Sequence, residues 1–140
     1  MAVTKCEFDL KKIEFKYDPN LEIAGLIDKI PGDPDDLTIE HGKYEGITED
    51  ANKFNASKTI LKDKDVSNMY KGDLEVMRNA IYARHGYSFK NRRMRYLFDN
   101  HLDWYIPVSV DVRSDLTEIE KKNIDLIKRF EEHAAKYYDY

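Results

Sequence analysis

The chain has 140 residues and a mass of 16.5 kDa, enough for one compact domain or for one small domain with a structured extension. With 41% hydrophobic, 36% charged and 12% aromatic residues the composition excludes a disordered chain, and no run of about eighteen apolar residues offers a transmembrane helix. The formal charge of −4 falls unevenly, −5 over residues 1–66 and +1 over residues 67–140, and an acidic balance argues against nucleic acid as a partner because phosphate contacts dominate that affinity.

Met1 to Asp9 contain no apolar signal-peptide stretch, and the lone Cys6 can make neither an internal disulfide nor a cysteine-based zinc site by itself. Residues 5–17 alternate apolar and polar, with a change of parity at Lys11-Lys12, which predicts a strand interrupted by a bulge or turn. Asp18-Pro19-Asn20 ends that strand. Residues 21–30 fit a short helix capped by Asn20, with a strand as the alternative, and residues 31–36 read as a loop. Residues 37–47, punctuated by Gly42 and Gly46, are expected to form a hairpin.

From Lys62 onward the period is helical. A short turn is expected over Asp65–Met69. A helix follows from a capping Asp73 to His85, with Gly86 as its left-handed stop. Another spans Asn91 to His101, with Met94, Leu97 and Phe98 on one face, and Pro107 closes the loop containing Trp104 and Tyr105. Thr117-Glu118-Ile119-Glu120 is a capping box for a last helix expected to reach Tyr137-Tyr138. The expected fold is therefore α+β, with a C-terminal helical unit of three main helices over residues 61–140 and a mixed strand/helix extension over residues 1–60 resting on it.

The segment 73–85 holds the sharpest conflict. On a wheel of about 100° per residue, Leu74, Arg78, Ile81, Tyr82 and His85 share a face, Met77, Ala80 and Arg84 lie beside it, and Val76 and Ala83 fill the rest. A helix apolar nearly all round is buried, yet this one carries Arg78, Asn79, Arg84 and His85, and buried cations must find partners. Internal partners would be Glu118, Glu120, Asp125 or Asn123 of the last helix. Alternatively, some of the donors face a cleft and hold an anionic or sugar-like ligand. By position Arg78 is the better internal bracket and Arg84 the better cleft candidate. His85, at the negative end of the helix, sits where a cation is stabilised, and Tyr82 and Tyr87 are its only chemically able sequence neighbours. The four histidines show no metal spacing, so neither a metal nor another cofactor is expected. The basic block of Arg78, Arg84, Lys90, Arg92, Arg93 and Arg95 is expected to be a solvated face or to meet an acidic partner.

The run Arg78-Asn79-Ala80-Ile81-Tyr82-Ala83-Arg84-His85-Gly86-Tyr87 contains Tyr-Ala-Arg-His-Gly and resembles the signature of the YARHG domain. Phe89, Phe98, Trp104-Tyr105 and Leu116 to Ile127 extend the likeness, which covers residues 62–130, while Ala80 stands where the family often has Glu. The resemblance implies a bacterial extracellular or envelope-associated domain without an established activity, and hence a leader trimmed from the chain. The expectation is a non-catalytic domain that binds a cell-surface component or a protein partner through Tyr82, Arg84, His85, Tyr87, Trp104 and Tyr105. Arg78, Asn79, Glu118, Glu120 and Asn123 are expected to form a structural network. The alternatives are a hydrolase with His85 as general base and a carboxylate such as Glu118 orienting it, or a purely structural or interaction domain.

Overall fold

The computed structural model describes residues 15–27 and 47–134. The expectations for residues 1–14, 28–46 and 135–140, including the Lys11-Lys12 bulge, the hairpin and the Tyr137-Tyr138 helix end, lie outside the described residues. Among the described residues there are five α-helices: α1 (Ala24–Ile27), α2 (Asp63–Val66), α3 (Lys71–Arg84), α4 (Arg92–His101) and α5 (Glu118–Glu131). Glu49–Asn52 and Arg113–Asp115 form single turns of 3₁₀ helix.

The α+β expectation is overturned. Among the described residues there is no strand, only an isolated parallel bridge between Tyr87 and Ser109, and no mixed strand/helix extension. The alternation at Phe15 and Tyr17 marks an extended segment with one half-buried face, and that segment makes side-chain contacts to the helical part of the chain instead of a backbone ladder. Period two reports which side chains point inward; it does not report whether a neighbouring strand exists.

α3 is the centre of the molecule. Val76, Ala80 and Ala83 enter one buried cluster with Ile23, Leu26, Ile47, Ala51, Met94, Leu97 and Phe98. Leu74, Met77 and Ile81 enter a second cluster with Leu61, Val66, Met69, Ile124 and Ile127. Both triplets repeat at three or four residues, so α3 presents two apolar stripes and reads as apolar all round because it separates two cores. Ala80 is 1% exposed within the first cluster.

The helix ends follow local rules, with two exceptions. Asn91 caps α4 by accepting from Met94 N at 3.1 Å. α5 opens with the Thr117/Glu120 capping box and stops at Glu131, earlier than the sequence suggests. α3 closes in a Schellman arrangement, with Gly86 N donating to Ala83 O at 3.0 Å and Tyr87 N to Tyr82 O at 3.1 Å. Gly86 has φ 76°, and a Cβ there would lie 2.8 Å from both Phe15 Cε1 and Val108 Cγ2. Asp73 does not cap α3. It lies fully buried within the first turn, and its carboxylate accepts from Thr48 N at 2.5 Å and Thr48 Oγ1 at 2.7 Å. Thr48 itself begins the 3₁₀ turn, so this bond ties residues 48–52 to α3.

Candidate functional site

The end of α3 delivers Arg84 and His85 into a buried polar network. His85 is 5% exposed, and its Nε2 lies 2.7 Å from Glu120 Oε1. The Tyr17 ring stacks on the imidazole at 4.1 Å between centroids with 8° between planes, and Tyr17 OH donates to Glu120 Oε2 at 2.9 Å. Thr117 N donates to Glu120 Oε1 at 2.9 Å through the capping box. Burial pushes the Glu120 carboxyl up, but the bonds from His85, Thr117 N–H and Ser57 outweigh it and hold the group at about 2. An ionised carboxylate only accepts, so Nε2 of His85 carries the proton in this bond. Burial first, and then the bond to Glu120, push the Tyr17 hydroxyl far above its ordinary value.

Arg84 is 2% exposed. Its Nε donates to Leu21 O at 2.7 Å and its Nη1 to Ser57 Oγ at 3.1 Å. Burial lowers its pKa, opposed by the charges of Glu22 and Glu120 and by Tyr17. The guanidinium thus joins two segments that precede the helical half of the chain. Asn123 of α5 fixes the second of them: its Oδ1 accepts from Leu61 N at 3.0 Å, and its Nδ2 donates to Ala56 O and Thr59 O, each at 2.7 Å.

Arg78 makes a two-pronged pair with Glu131, Nε to Oε2 at 2.6 Å and Nη2 to Oε1 at 3.0 Å. That geometry is the strong form of the guanidinium–carboxylate bond. Its partner is therefore at the far end of α5 and is none of the residues the sequence suggested. Asn79 donates back to Glu75 O at 2.8 Å along its own helix. Glu118 stands outside the network, its side chain 83% exposed and 3.4 Å from Lys121. The carboxylate beside His85 is Glu120, not Glu118, and His85 is buried against it.

The expected binding residues separate into two surroundings. Arg84 and Trp104 line a cavity of about 500 Å³ together with Tyr17. Trp104 is half-buried and its Nε1 donates to Glu22 O at 2.8 Å. Tyr82 and Tyr87 line a groove of about 550 Å³ with Asn79, Phe89, Lys90 and Arg113. Tyr105 reaches neither. It is 8% exposed in the first core, and its hydroxyl donates to Tyr87 O at 2.6 Å. The basic block is spread over separate partners: Arg93 lies 3.5 Å from Glu75 and Arg95 lies 3.9 Å from Asp99, in addition to the Arg78 and Arg84 contacts. Among the described residues no three His, Cys, Asp or Glu side chains converge as metal ligands, and no helix is long and apolar enough to cross a membrane.

Three residues of this network were missed in the sequence, Tyr17, Glu131 and Ser57; Tyr17 was visible only as part of the alternation over residues 5–17. Glu131 had a signal: Glu120, Ile124, Ile127 and Glu131 fall on one stripe of α5 at spacings of four, three and four, so an acid there faces α3. Ser57 had none.

A helical domain knitted by a buried arginine, histidine and carboxylate is the class that this fold and site define. The family model of the YARHG domain matches residues 51–132, well over half of the chain, and the chain belongs to that family. No curated protein and no solved structure matches it.

Proposed function

We propose that this is a non-catalytic domain of the bacterial cell envelope or extracellular space that binds a cell-surface component or a protein partner. The observation that carries the reading is the groove in which the rings of Tyr82, Tyr87 and Phe89 meet the polar heads of Asn79, Lys90 and Arg113. Rings with nearby donors are suited to sugar faces and to peptide backbones, because apolar area and directed hydrogen bonds act together there. The Arg84–Trp104 cavity forms the second part of the proposed surface. His85 and Tyr105 support it from beneath.

Co-sedimentation with isolated cell-wall sacculi and with envelope membranes tests the reading. Lys90→Glu and Tyr87→Ser alter the groove, and each is expected to lower the bound fraction while Tm changes little for Lys90→Glu, whose side chain is exposed. Binding unchanged in both variants contradicts the reading.

A further inference from the structure

The guanidinium of Arg84 is buried but only partly used. Arginine carries five N–H donors. One on Nε is taken by Leu21 O and one on Nη1 by Ser57 Oγ. Among the described residues every buried side-chain nitrogen and oxygen has a partner, and Nη2 of Arg84 has none, so Nη2 is the part of the head that meets open space. The space it meets is the cavity of about 500 Å³, walled by Phe15, Tyr17 and Trp104, with Lys16 and Asp18 in its lining. No carboxylate of the described residues forms an ion pair with Arg84. Of the two acids whose charges act on Arg84, Glu22 and Glu120, the second is already spent on His85, Tyr17 and Thr117.

Glu22 and Glu120 act on this buried cation only from a distance, and an anion seated directly on it relieves more of the cost of its burial. Lys16 and Arg84 outnumber Asp18 in the lining, and one Asp18 oxygen is taken by Asn20 N at 2.9 Å. Nη2 carries two N–H donors, and a carboxylate oxygen accepts from a guanidinium in a short charge-assisted bond. The three aromatic walls suit an apolar or ring-shaped body behind it. We infer that the Arg84 cavity is a ligand site for a small carboxylate carried on a ring-bearing body, the acid seated on Nη2 of Arg84 and the body against Trp104 and Tyr17. This deepens the binding reading above and rests on it.

N-acetyl-phenylalanine, its primary amide, N-acetylmuramic acid and inorganic phosphate are the probes, titrated into the whole protein and followed by the NMR signals of the Trp104 indole N–H and the Arg84 Nε–H. The acid form is expected to bind at least about ten-fold more tightly than the amide. Saturation by N-acetylmuramic acid alone keeps the carboxylate and identifies a sugar acid as its source. Arg84→Ala removes two internal bonds and is a poor test of binding. Ile106→Trp instead fills the cavity from its wall without touching Arg84, and it is expected to abolish the shifts while the fold, judged by circular dichroism, persists. Equal binding of acid and amide, equal binding of phosphate, or shifts that survive Ile106→Trp overturn the inference. So does failure of both acids to bind at millimolar concentration. If that failure occurs while sacculus binding persists, only this inference falls. If sacculus binding is absent and the acids still saturate Trp104, the broader reading falls and the cavity stands.

Discussion

The Nε2 of His85 and the Oε1 of Glu120 lie 2.7 Å apart, and both side chains are almost completely shielded from water. That contact joins the C-terminal cap of α3 to the first turn of α5. The same carboxylate also closes the capping box on Thr117 and receives the hydroxyl of Tyr17. One acid therefore starts a helix, holds the signature histidine and pins the extended segment that precedes α1.

Replacing Glu120 by Gln keeps the shape and removes the charge. The amide then presents a donor where two or three donors already point, so a buried group is left unpaired. We expect a loss of about 2–4 kcal/mol in unfolding free energy, measured by urea denaturation. Glu118→Gln, two residues away and largely exposed, is expected to stay within about 0.5 kcal/mol of the parent.

Stability should depend on pH through two carboxylates of opposite sign. Glu120 is held at about 2 against an ordinary 4.5, so its contribution is present above pH 4.5 and is lost as the pH falls toward 2. A difference of that size is worth about 3 kcal/mol. Asp73 runs the other way. Burial, with the nearby charge of Asp50, pushes it up to about 6 despite the Thr48 bonds, so its contribution is present below 3.8 and is lost as the pH rises through 6. Urea midpoints across this range are expected to show an acid-side fall that Glu120→Gln abolishes and a decline between 3.8 and 6 that Asp73→Asn abolishes. A decline retained in Asp73→Asn contradicts the assignment.

The helix ends were legible in the sequence because caps are local. Thr117 with Glu120, and Gly86, each act on backbone groups within four residues, and each does in the structure what its spacing implies; Asn91, read only as the first residue of a helix, caps it instead. The buried character of α3 was legible for the same reason. The fold class was not: Phe15 and Tyr17 alternate as a strand would, but their partners are a cavity wall and an imidazole supplied by α3, about seventy residues further along the chain. The partners of the signature cations were equally hidden. Leu21 O and Ser57 Oγ are 63 and 27 residues from Arg84, and a backbone carbonyl has no side-chain signature at all. Asp73 looked like a cap because its type is right, and it was recruited instead by Thr48, 25 residues upstream.

The Arg78–Glu131 pair spans 53 residues with side chains 20% and 11% exposed. A double-mutant cycle with Arg78→Ala and Glu131→Ala is expected to return a coupling of about 1–3 kcal/mol, because the pair is two-pronged and mostly shielded. Additive losses would mean that the two prongs contribute no more than an exposed ion pair.

Gly86→Ala places a methyl group in left-handed backbone, against the Phe15 ring and Val108. The strain and the overlap act together, and the expected loss is about 2 kcal/mol or more by thermal unfolding. A Tm within about 2 °C of the parent contradicts the tight packing of that turn.

The most direct measurement on the signature itself is a double-mutant cycle between His85→Gln and Glu120→Gln. If the arginine and histidine of the signature serve as internal fasteners, the coupling is about 2 kcal/mol or more, and either single variant also weakens the Tyr17 stack, visible as a displaced Tyr17 ring resonance. Losses that add to within about 0.5 kcal/mol, with the Tyr17 signal unmoved, contradict that account.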